Sequence, residues 1–383
     1  MKYSPVISFT LASFIALQAD AATFEVETCD DLELAVAATA IEDTTANFTS
    51  GIGIDVNCGL ETDGDDEEVR TLKIENNELT IEAPFLTSFQ SIRLSNVRFE
   101  LVSSGELLVT RDASFDMSTE LEVTSDGGFM FVEEGSKARF MGDLLVTDYT
   151  IRSVVIDGDV ADDQLDGGCV FNQGYFRVEG HSTFLRCDSI GGGESPAGDG
   201  GALYNGETGS VLFTGGVTME EVFITDNEGG TGAGIYNLGK VNIKGDSIFN
   251  NLNADGEQVG GAIFNGDDAK FTFRNKAAAA FIENSAGAAS AVFNVGEFTF
   301  SGPVLFSLNS NSVIQNFAPG TMKLSSGTSF WLIETDEEDA AVMNFPDATL
   351  EFPDDLQFVS LDGTSDECDY ITFETEDGIE CTS

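Results

Sequence analysis

One short motif recurs along this chain and restricts the possible folds more than any other feature. It reads glycine, glycine, small, aliphatic, aromatic, asparagine, as in GGAIFN at 260–265. Further copies, some weaker, end at the other repeat asparagines, and the full set is Asn172, Asn205, Asn237, Asn265, Asn294, Asn316 and Asn344. Successive asparagines are 33, 32, 28, 29, 22 and 28 residues apart. Self-similarity at such a period indicates a solenoid or a propeller.

A turn and a short alternating segment follow each asparagine. The apolar pairs are Phe176/Val178, Val211/Phe213, Val241/Ile243, Phe271/Phe273, Phe298/Phe300, Met322/Leu324 and Leu350/Phe352. Period-2 alternation is typical of a strand with one buried face, and a propeller blade needs a longer unit of roughly 40 residues. We therefore predict an all-β fold, a single-stranded right-handed parallel β-helix of about ten coils. The asparagines should stack as a hydrogen-bonded ladder.

The N-terminal end of such a solenoid needs a cover, because open strand edges invite association. Residues 23–41 read as a strand followed by an amphipathic helix. Asp30 and Glu33 fit a capping box, and Leu34, Ala37, Ala38 and Ile41 fall on one helical face. We predict a capping helix with that face turned inward.

The chain divides into four predicted segments. Residues 1–21 have the charge, apolar run and A-x-A site of a signal peptide. Residues 22–60 form the cap, 61–360 the β-helix and 361–383 a C-terminal cap or tail. The apolar run is too short for a membrane span, and no later segment is long enough. We expect a secreted, extracellular protein, associated with a cell surface or cell wall, and no transmembrane segment.

Six cysteines fit an oxidising compartment. Six allow 15 pairings, and proximity in sequence suggests Cys29 with Cys58, Cys169 with Cys187, and Cys368 with Cys381. Asn47 begins an Asn-Phe-Thr sequon and is a glycosylation candidate.

The charge balance limits the classes of molecule that this protein can bind. Seventeen basic against 67 acidic residues give a net charge of −50, which excludes nucleic acid and anionic lipid as natural ligands. An extracellular glycan or protein surface is the expected partner, with the oligomeric state left open. The basic residues look few and scattered along the chain, which disfavours a polyanionic partner.

Catalytic chemistry has few candidates. Asp162 and Asp163 form an acid pair, Asp166 lies near them, His181 is the single histidine and Lys244 is a possible basic partner. Because their spacing follows no known site pattern, we interpret them as surface residues and expect no catalytic residue. We expect no cofactor. Acid-rich stretches at 61–68 and 154–168 allow weak calcium binding, although neither matches the 12-residue calcium loop, and the metal question stays open.

A second motif, Phe-x-x-Asn, alternates with the first. It occurs as Phe281…Asn284 and Phe306…Asn309, and the same spacing without asparagine occurs at Phe223…Asp226 and Phe184…Cys187. Across residues 125–345 the two motifs resemble the repeats of the polymorphic outer-membrane protein family, and more broadly the pectin-lyase-like β-helix superfamily. The resemblance implies an extracellular protein of adhesion or surface display. Our functional prediction is a secreted, non-catalytic β-helix protein that adheres or binds glycans; the alternative is a polysaccharide lyase or glycoside hydrolase with a degenerate motif.

Overall fold

The chain forms a parallel β-helix. The computed structural model describes residues 21–48, 54–61, 67–82, 92–117, 126–152, 166–190, 198–225, 230–254, 259–331, 341–359, 371–375 and 378–381. Within them, three long sheets run along the solenoid, and each coil contributes one strand to each sheet. Ten complete coils are described, from the strand Arg70–Glu75 to the strand Gln357–Val359. The predicted fold class is confirmed.

The first sheet holds the alternating segments that follow the repeat asparagines. In order along the solenoid its strands are Ala22–Val26, Thr44–Phe48, Glu78–Glu82, Glu106–Val109, Lys137–Phe140, Tyr175–Val178, Ser210–Phe213, Lys240–Ile243, Lys270–Phe273, Glu297–Phe300, Thr321–Lys323 and Thr349–Glu351. Because the sheet already includes Ala22–Val26, the N-terminal segment continues the solenoid's own hydrogen bonding.

The second sheet follows the first in each coil. Its strands are Ile54–Asn57, Ile92–Ser95, Ala113–Asp116, Leu144–Thr147, Ser182–Leu185, Val217–Thr225, Ser247–Ala254, Ala279–Ile282, Val304–Ser307, Ser329–Trp331 and Gln357–Val359, with Thr150–Arg152 and Asp188–Ile190 alongside. Its outward face carries the groove described below.

The third sheet holds the repeat motif itself. Its strands are Arg70–Glu75, Val97–Val102, Met130–Val132, Val170–Asn172, Leu203–Asn205, Ile235–Asn237, Ile263–Asn265, Val292–Asn294, Ile314–Asn316, Val342–Asn344, Ile371–Thr375 and Gly378–Cys381. The last two strands pair antiparallel. A separate sheet consists of the two short strands Leu60–Glu61 and Glu67–Glu68, which also pair antiparallel.

The core is filled as the alternation predicts. The aliphatic residue of every repeat copy is fully buried, and so are the first six apolar pairs. The seventh pair departs from the prediction, since Leu350 is partly buried and Phe352 is 41% exposed. The strand Thr349–Glu351 is the last of the first sheet, so no further described first-sheet strand covers it.

The helix α1, Cys29–Ala38, packs on the first coils, but the sequence misplaced its cap and its buried face. Thr28 is the N-cap, and the Asp31 carboxylate accepts the backbone N–H of Thr28, so the box is not Asp30 with Glu33. The buried residues are Cys29, Leu32, Ala35 and Val36, whereas Leu34 and Ile41 are exposed. A disulfide from Cys29 to Cys58 holds Cys29 inward and thereby fixes the helix rotation.

The second motif is also corrected by register. Phe184, Met219, Phe249, Phe281 and Phe306 occupy one column of the second sheet. Phe223, predicted to be part of it, lies opposite Asn253 instead. The strands Val217–Thr225 and Ser247–Ala254 are nine and eight residues long and continue past the corner at which the shorter second-sheet strands end.

The predicted disulfides and signal peptide lie partly inside and partly outside the described residues. The structure contains the Cys29–Cys58 and Cys169–Cys187 disulfides, with Cα–Cα distances of 5.2 and 5.3 Å. Cys368 and the side chain of Cys381 lie outside the described part, as do residues 1–20 of the predicted signal peptide. Among the described helical residues, none forms a helix long and apolar enough to cross a membrane.

Candidate ligand-binding groove

A shallow groove runs along the outward face of the second sheet. Its floor is one register column with one side chain from each coil, namely Ser114, Leu145, Thr183, Thr218, Ile248, Ala280, Leu305 and Ser329. Between Thr218 and Ser329 the groove encloses about 660 Å³, and a smaller hollow of about 240 Å³ continues it past Ser114. Period-2 side-chain direction and parallel register place these residues in a straight line.

One rim of the groove is the corner where each coil enters the second sheet. Three rim carboxylates each accept a backbone N–H from the next coil. Asp112 Oδ1 accepts from Asp143 (2.9 Å), Asp143 Oδ1 from His181 (2.7 Å) and Asp246 Oδ1 from Ala278 (2.8 Å). These aspartates fasten one coil to the next.

His181 occupies the same rim column, between Asp143 and Asp246. Its Nδ1 lies 3.1 Å from the Gly215 carbonyl oxygen and its Nε2 lies 2.9 Å from Thr218 Oγ1. Since a carbonyl oxygen can only accept, Nδ1 carries the proton, and in the neutral ring Nε2 accepts from the Thr218 hydroxyl. Gly216, at φ +97°, is the rim residue of the following coil, and its Cβ would meet the Asp246 carbonyl. Only glycine therefore fits at this rim position without a clash against the backbone of the next coil.

The floor is mixed in polarity. Ile248 is 44% exposed although it is aliphatic, and Leu145 is 38% exposed. Thr218 and Ser329 add hydroxyls to the same column. On the far side, Trp331 is 45% exposed at the end of the neighbouring outward column. Such a surface offers both apolar contacts and hydrogen-bonding groups in a groove that is open along its length.

The chemistry available in the groove is limited. His181 is its one imidazole, and its ring nitrogens already contact Gly215 and Thr218. Each of the three rim aspartates uses one carboxylate oxygen on a backbone N–H. Among the described residues no group of three or more His, Cys, Asp or Glu side chains is arranged to hold a metal ion. The arrangement suits binding of an extended chain.

The outward face of the third sheet carries a second feature, a stack of mostly half-buried aromatic rings. Its in-register members precede the repeat asparagines or their upstream equivalent and are Phe131, Phe171, Tyr204, Tyr236, Phe264 and Phe293. Successive centroids lie 4.6–5.3 Å apart with interplanar angles of 2–12°. Because each inner ring is stacked between two others, its faces are taken. We interpret this stack as a structural ladder.

Beside that stack lies a column of aspartates that the sequence reading missed. Asp126 Oδ1 accepts the N–H of Asp166, Asp166 Oδ1 that of Asp199, and Asp199 Oδ1 that of Thr231, all at 2.7–2.8 Å. Burial raises the pKa of Asp166 to about 8, and the nearby Asp199 and Asp126 carboxylates act in the same direction. Burial also raises the pKa of Asp199. The signal was present as an aspartate before Gly-Gly in three copies, at 126, 166 and 199.

The predicted site residues are not all brought together. His181 lines the groove, whereas Asp166 lies at the entry to the third sheet and Lys244 at the end of a first-sheet strand. Asp162 and Asp163 lie outside the described residues, as do most of the two acid-rich stretches considered for calcium. Asn47 lies in the strand Thr44–Phe48, where its Nδ2 donates to the Glu25 carboxylate at 3.1 Å. Its glycosylation stays a prediction.

Comparison with protein-family models, with curated proteins and with solved structures found no match to this chain. The functional argument therefore depends on the fold and on the groove.

Proposed function

We propose that this is a secreted, non-catalytic β-helix protein that binds an extended glycan in the groove of the second sheet, at a cell surface, in a cell wall or in an extracellular matrix. The observation that carries the proposal is the straight, open floor from Thr218 to Ser329. A sugar ring has both apolar C–H faces and hydroxyls. The floor offers consecutive aliphatic side chains between the hydroxyls of Thr218 and Ser329, with the His181 imidazole on the rim. The exposed Trp331 adds an aromatic surface at one end.

The surrounding features support an extracellular setting. Two disulfides are typical of oxidising compartments, and the first 21 residues have the pattern of a signal peptide. The resemblance of the repeat to polymorphic outer-membrane proteins supports adhesion or surface display. An open groove also fits a polymer better than a small ligand, which is usually enclosed.

The same groove supports the alternative of a polysaccharide-active enzyme, because an imidazole and rim carboxylates line one surface. His181, Asp143 and Asp246 are the residues such an enzyme would use as acid and base. Binding and cleavage differ in one readout, the length of the glycan after incubation.

The test uses mature protein with labelled neutral polysaccharides (β-glucan, mannan, galactan and dextran), followed by size-exclusion chromatography. We expect at least one glycan to co-elute at unchanged length. Ala280→Gln, which fills the floor, should weaken binding at least tenfold, equivalent to about 1.4 kcal/mol. The control Thr299→Gln adds the same side chain at an outward position of the first sheet and should bind normally.

Three outcomes would contradict the proposal. If wild type shortens the glycan and His181→Gln does not, the protein is a polysaccharide-active enzyme instead. Equal loss of binding in Ala280→Gln and Thr299→Gln would show that the groove is not the binding site. Failure of wild type to retain any glycan in the panel would leave a protein partner in its place.

A further inference from the structure

The cations of this acidic chain are not spread evenly over its surface. Ten of the 17 lysines and arginines lie on the outward face of the first sheet or at its corner with the second sheet: Arg111, Lys137, Arg139, Arg177, Lys240, Lys244, Lys270, Arg274, Lys276 and Lys323. The interpretation of basic residues as scattered is therefore wrong in three dimensions. A repeat of about 30 residues makes positions that are distant in sequence neighbours in the sheet.

Two adjacent coils hold the densest group. Lys240 and Lys270 are register partners at one end of their strands. Lys244 and Arg274 follow the other end, where the Arg274 N–H donates to the Ile243 carbonyl at 2.7 Å. Neighbouring strands lie about 4.8 Å apart, so these two side chains start side by side. Lys276 follows in the turn, with a φ of +60°.

The ion pairs of this sheet separate the cations into two groups. Lys137, Arg139, Arg177, Lys270 and Lys323 are paired with glutamates. Within the described residues, Lys240, Lys244, Arg274 and Lys276 form no ion pair within 4 Å. Lys240 lies at the far end of its strand, whereas the other three lie at the corner with the second sheet. The carboxylate nearest to them along the chain, Asp246, already accepts the N–H of Ala278. We call Lys244, Arg274 and Lys276 the cationic corner.

This corner adjoins the ligand groove. Asp246 and Ala278, two residues beyond Lys244 and Lys276 respectively, form part of the groove rim. A polymer lying in the groove thus passes directly beside three cations. We propose that the cationic corner binds sulfate ester groups carried by the glycan that occupies the groove, an inference that rests on the proposed function.

Sulfate suits the corner for two reasons. Its three terminal oxygens can accept from two ammonium groups and a guanidinium together, whereas a carboxylate has two oxygens. It also stays ionised at every physiological pH. The net charge of −50 opposes an approaching polyanion, but at 0.15 M salt the Debye length is about 8 Å. Acids farther away than this are largely screened, and the nearby Asp246 carboxylate offsets one of the corner's three charges.

The test compares dextran, carboxymethyl-dextran and dextran sulfate, which share one backbone. We expect dextran sulfate to bind most tightly, with an affinity maximum at intermediate ionic strength. Low salt leaves the repulsion by the whole protein unscreened, and high salt screens the corner as well. The triple variant K244Q/R274Q/K276Q should lose at least tenfold in affinity at 0.15 M salt. The control K73Q/K137Q/K323Q removes the same charge from exposed ion pairs and should change affinity less than twofold.

The outcomes separate this inference from the proposed function. Equal affinity for carboxymethyl-dextran would overturn the choice of sulfate, and equal loss in both triple variants would overturn the corner. A neutral glycan held in the groove without any gain from sulfate would overturn the inference and leave the proposed function standing. If dextran sulfate binds tightly, the triple variant of the cationic corner weakens this binding and Ala280→Gln does not, the result would support the cationic corner as a binding site and exclude the groove.

Discussion

At the scale of single residues, the seven repeat asparagines form one continuous column. Each Nδ2 of the first six donates to the Oδ1 of the next asparagine at 2.7 Å. All are buried, so each amide depends on its neighbours for hydrogen bonds that water cannot supply. A buried polar group left without a partner costs about 1–3 kcal/mol.

Position within the column sets the cost of a substitution. Asn237→Ala removes the acceptor of Asn205, the donor to Asn265 and the acceptor of the Gly239 N–H. We expect a loss of about 3 kcal/mol in unfolding free energy. Asn172→Ala, at the column's end, breaks one asparagine contact and should cost about 1 kcal/mol. Chemical denaturation of both variants checks this, and equal costs would show that the ladder does not act through its hydrogen bonds.

At the scale of elements, α1 shows how a short helix is positioned by its ends. Thr28 caps it, Cys29 ties it to Cys58, and Arg70 contacts Asp30 at 2.7 Å from the first third-sheet strand. The helix therefore covers the first coil with Leu32, Ala35 and Val36 turned inward. Covering the end of a solenoid protects its hydrophobic core and its strand edges.

The cap residue can be tested directly. Thr28→Ala removes the side-chain oxygen that accepts the Asp31 N–H, and we expect a loss of about 1 kcal/mol. Asp30→Ala, at the predicted but incorrect cap, removes a carboxylate that is 82% exposed, and Arg70 keeps its contact with Glu33 at 3.3 Å. This variant should therefore cost about 0.5 kcal/mol or less. Thermal unfolding of the two variants distinguishes the assignments; a larger effect at Asp30 would contradict the observed cap.

At the scale of the whole molecule, the solenoid sorts its side chains by face. The first sheet gathers cations and their glutamate partners, the second carries the open groove, and the third carries the aromatic stack with the aspartate column beside it. The acidic residues elsewhere give the chain its net charge of −50. Each face thus has its own chemistry, although one repeat builds all three.

The aspartates make the stability of the molecule depend on pH. Asp166 has its pKa raised to about 8 by burial, and Asp188 to about 6 for the same reason, with Asp148 adding to the shift. An unfolded aspartate titrates near 4, so between pH 4 and 8 the folded chain binds more protons than the unfolded chain. The free energy of unfolding should therefore fall as the pH rises through this window.

Asp166→Asn keeps an oxygen for the Asp199 N–H but cannot ionise. We expect the variant to equal wild type at about pH 3, below both the folded and the unfolded pKa of Asp166, and to be more stable at pH 8, by up to a few kcal/mol. Denaturation midpoints at the two pH values measure the difference. Parallel pH profiles for variant and wild type would contradict a buried, ionisable Asp166.

Much of the fold was predictable because the periodicity of the repeat indicates stacked coils of short strands. The alternation at Phe271 and Phe273 marked a buried strand face, and the spacing of the asparagines marked one coil. The buried face of the helix was predicted wrongly because Leu34 and Val36 are both apolar. The Cys29–Cys58 disulfide holds the helix so that Val36 is buried and Leu34 is exposed. The aspartate column was readable from its Gly-Gly context, but its burial was not.

By itself, the sequence determined that strands stack as parallel coils, that the first six apolar pairs point inward, and that the asparagines form a column, because these properties follow from local periodicity. Only the tertiary structure decided which outward residues meet. His181 joins a groove with Ile248 and Ser329, and Lys244 stands beside Arg274. The reason is register: coil lengths vary from 22 to 33 residues, so the partner of an outward side chain depends on where the next coil's turns place its strand.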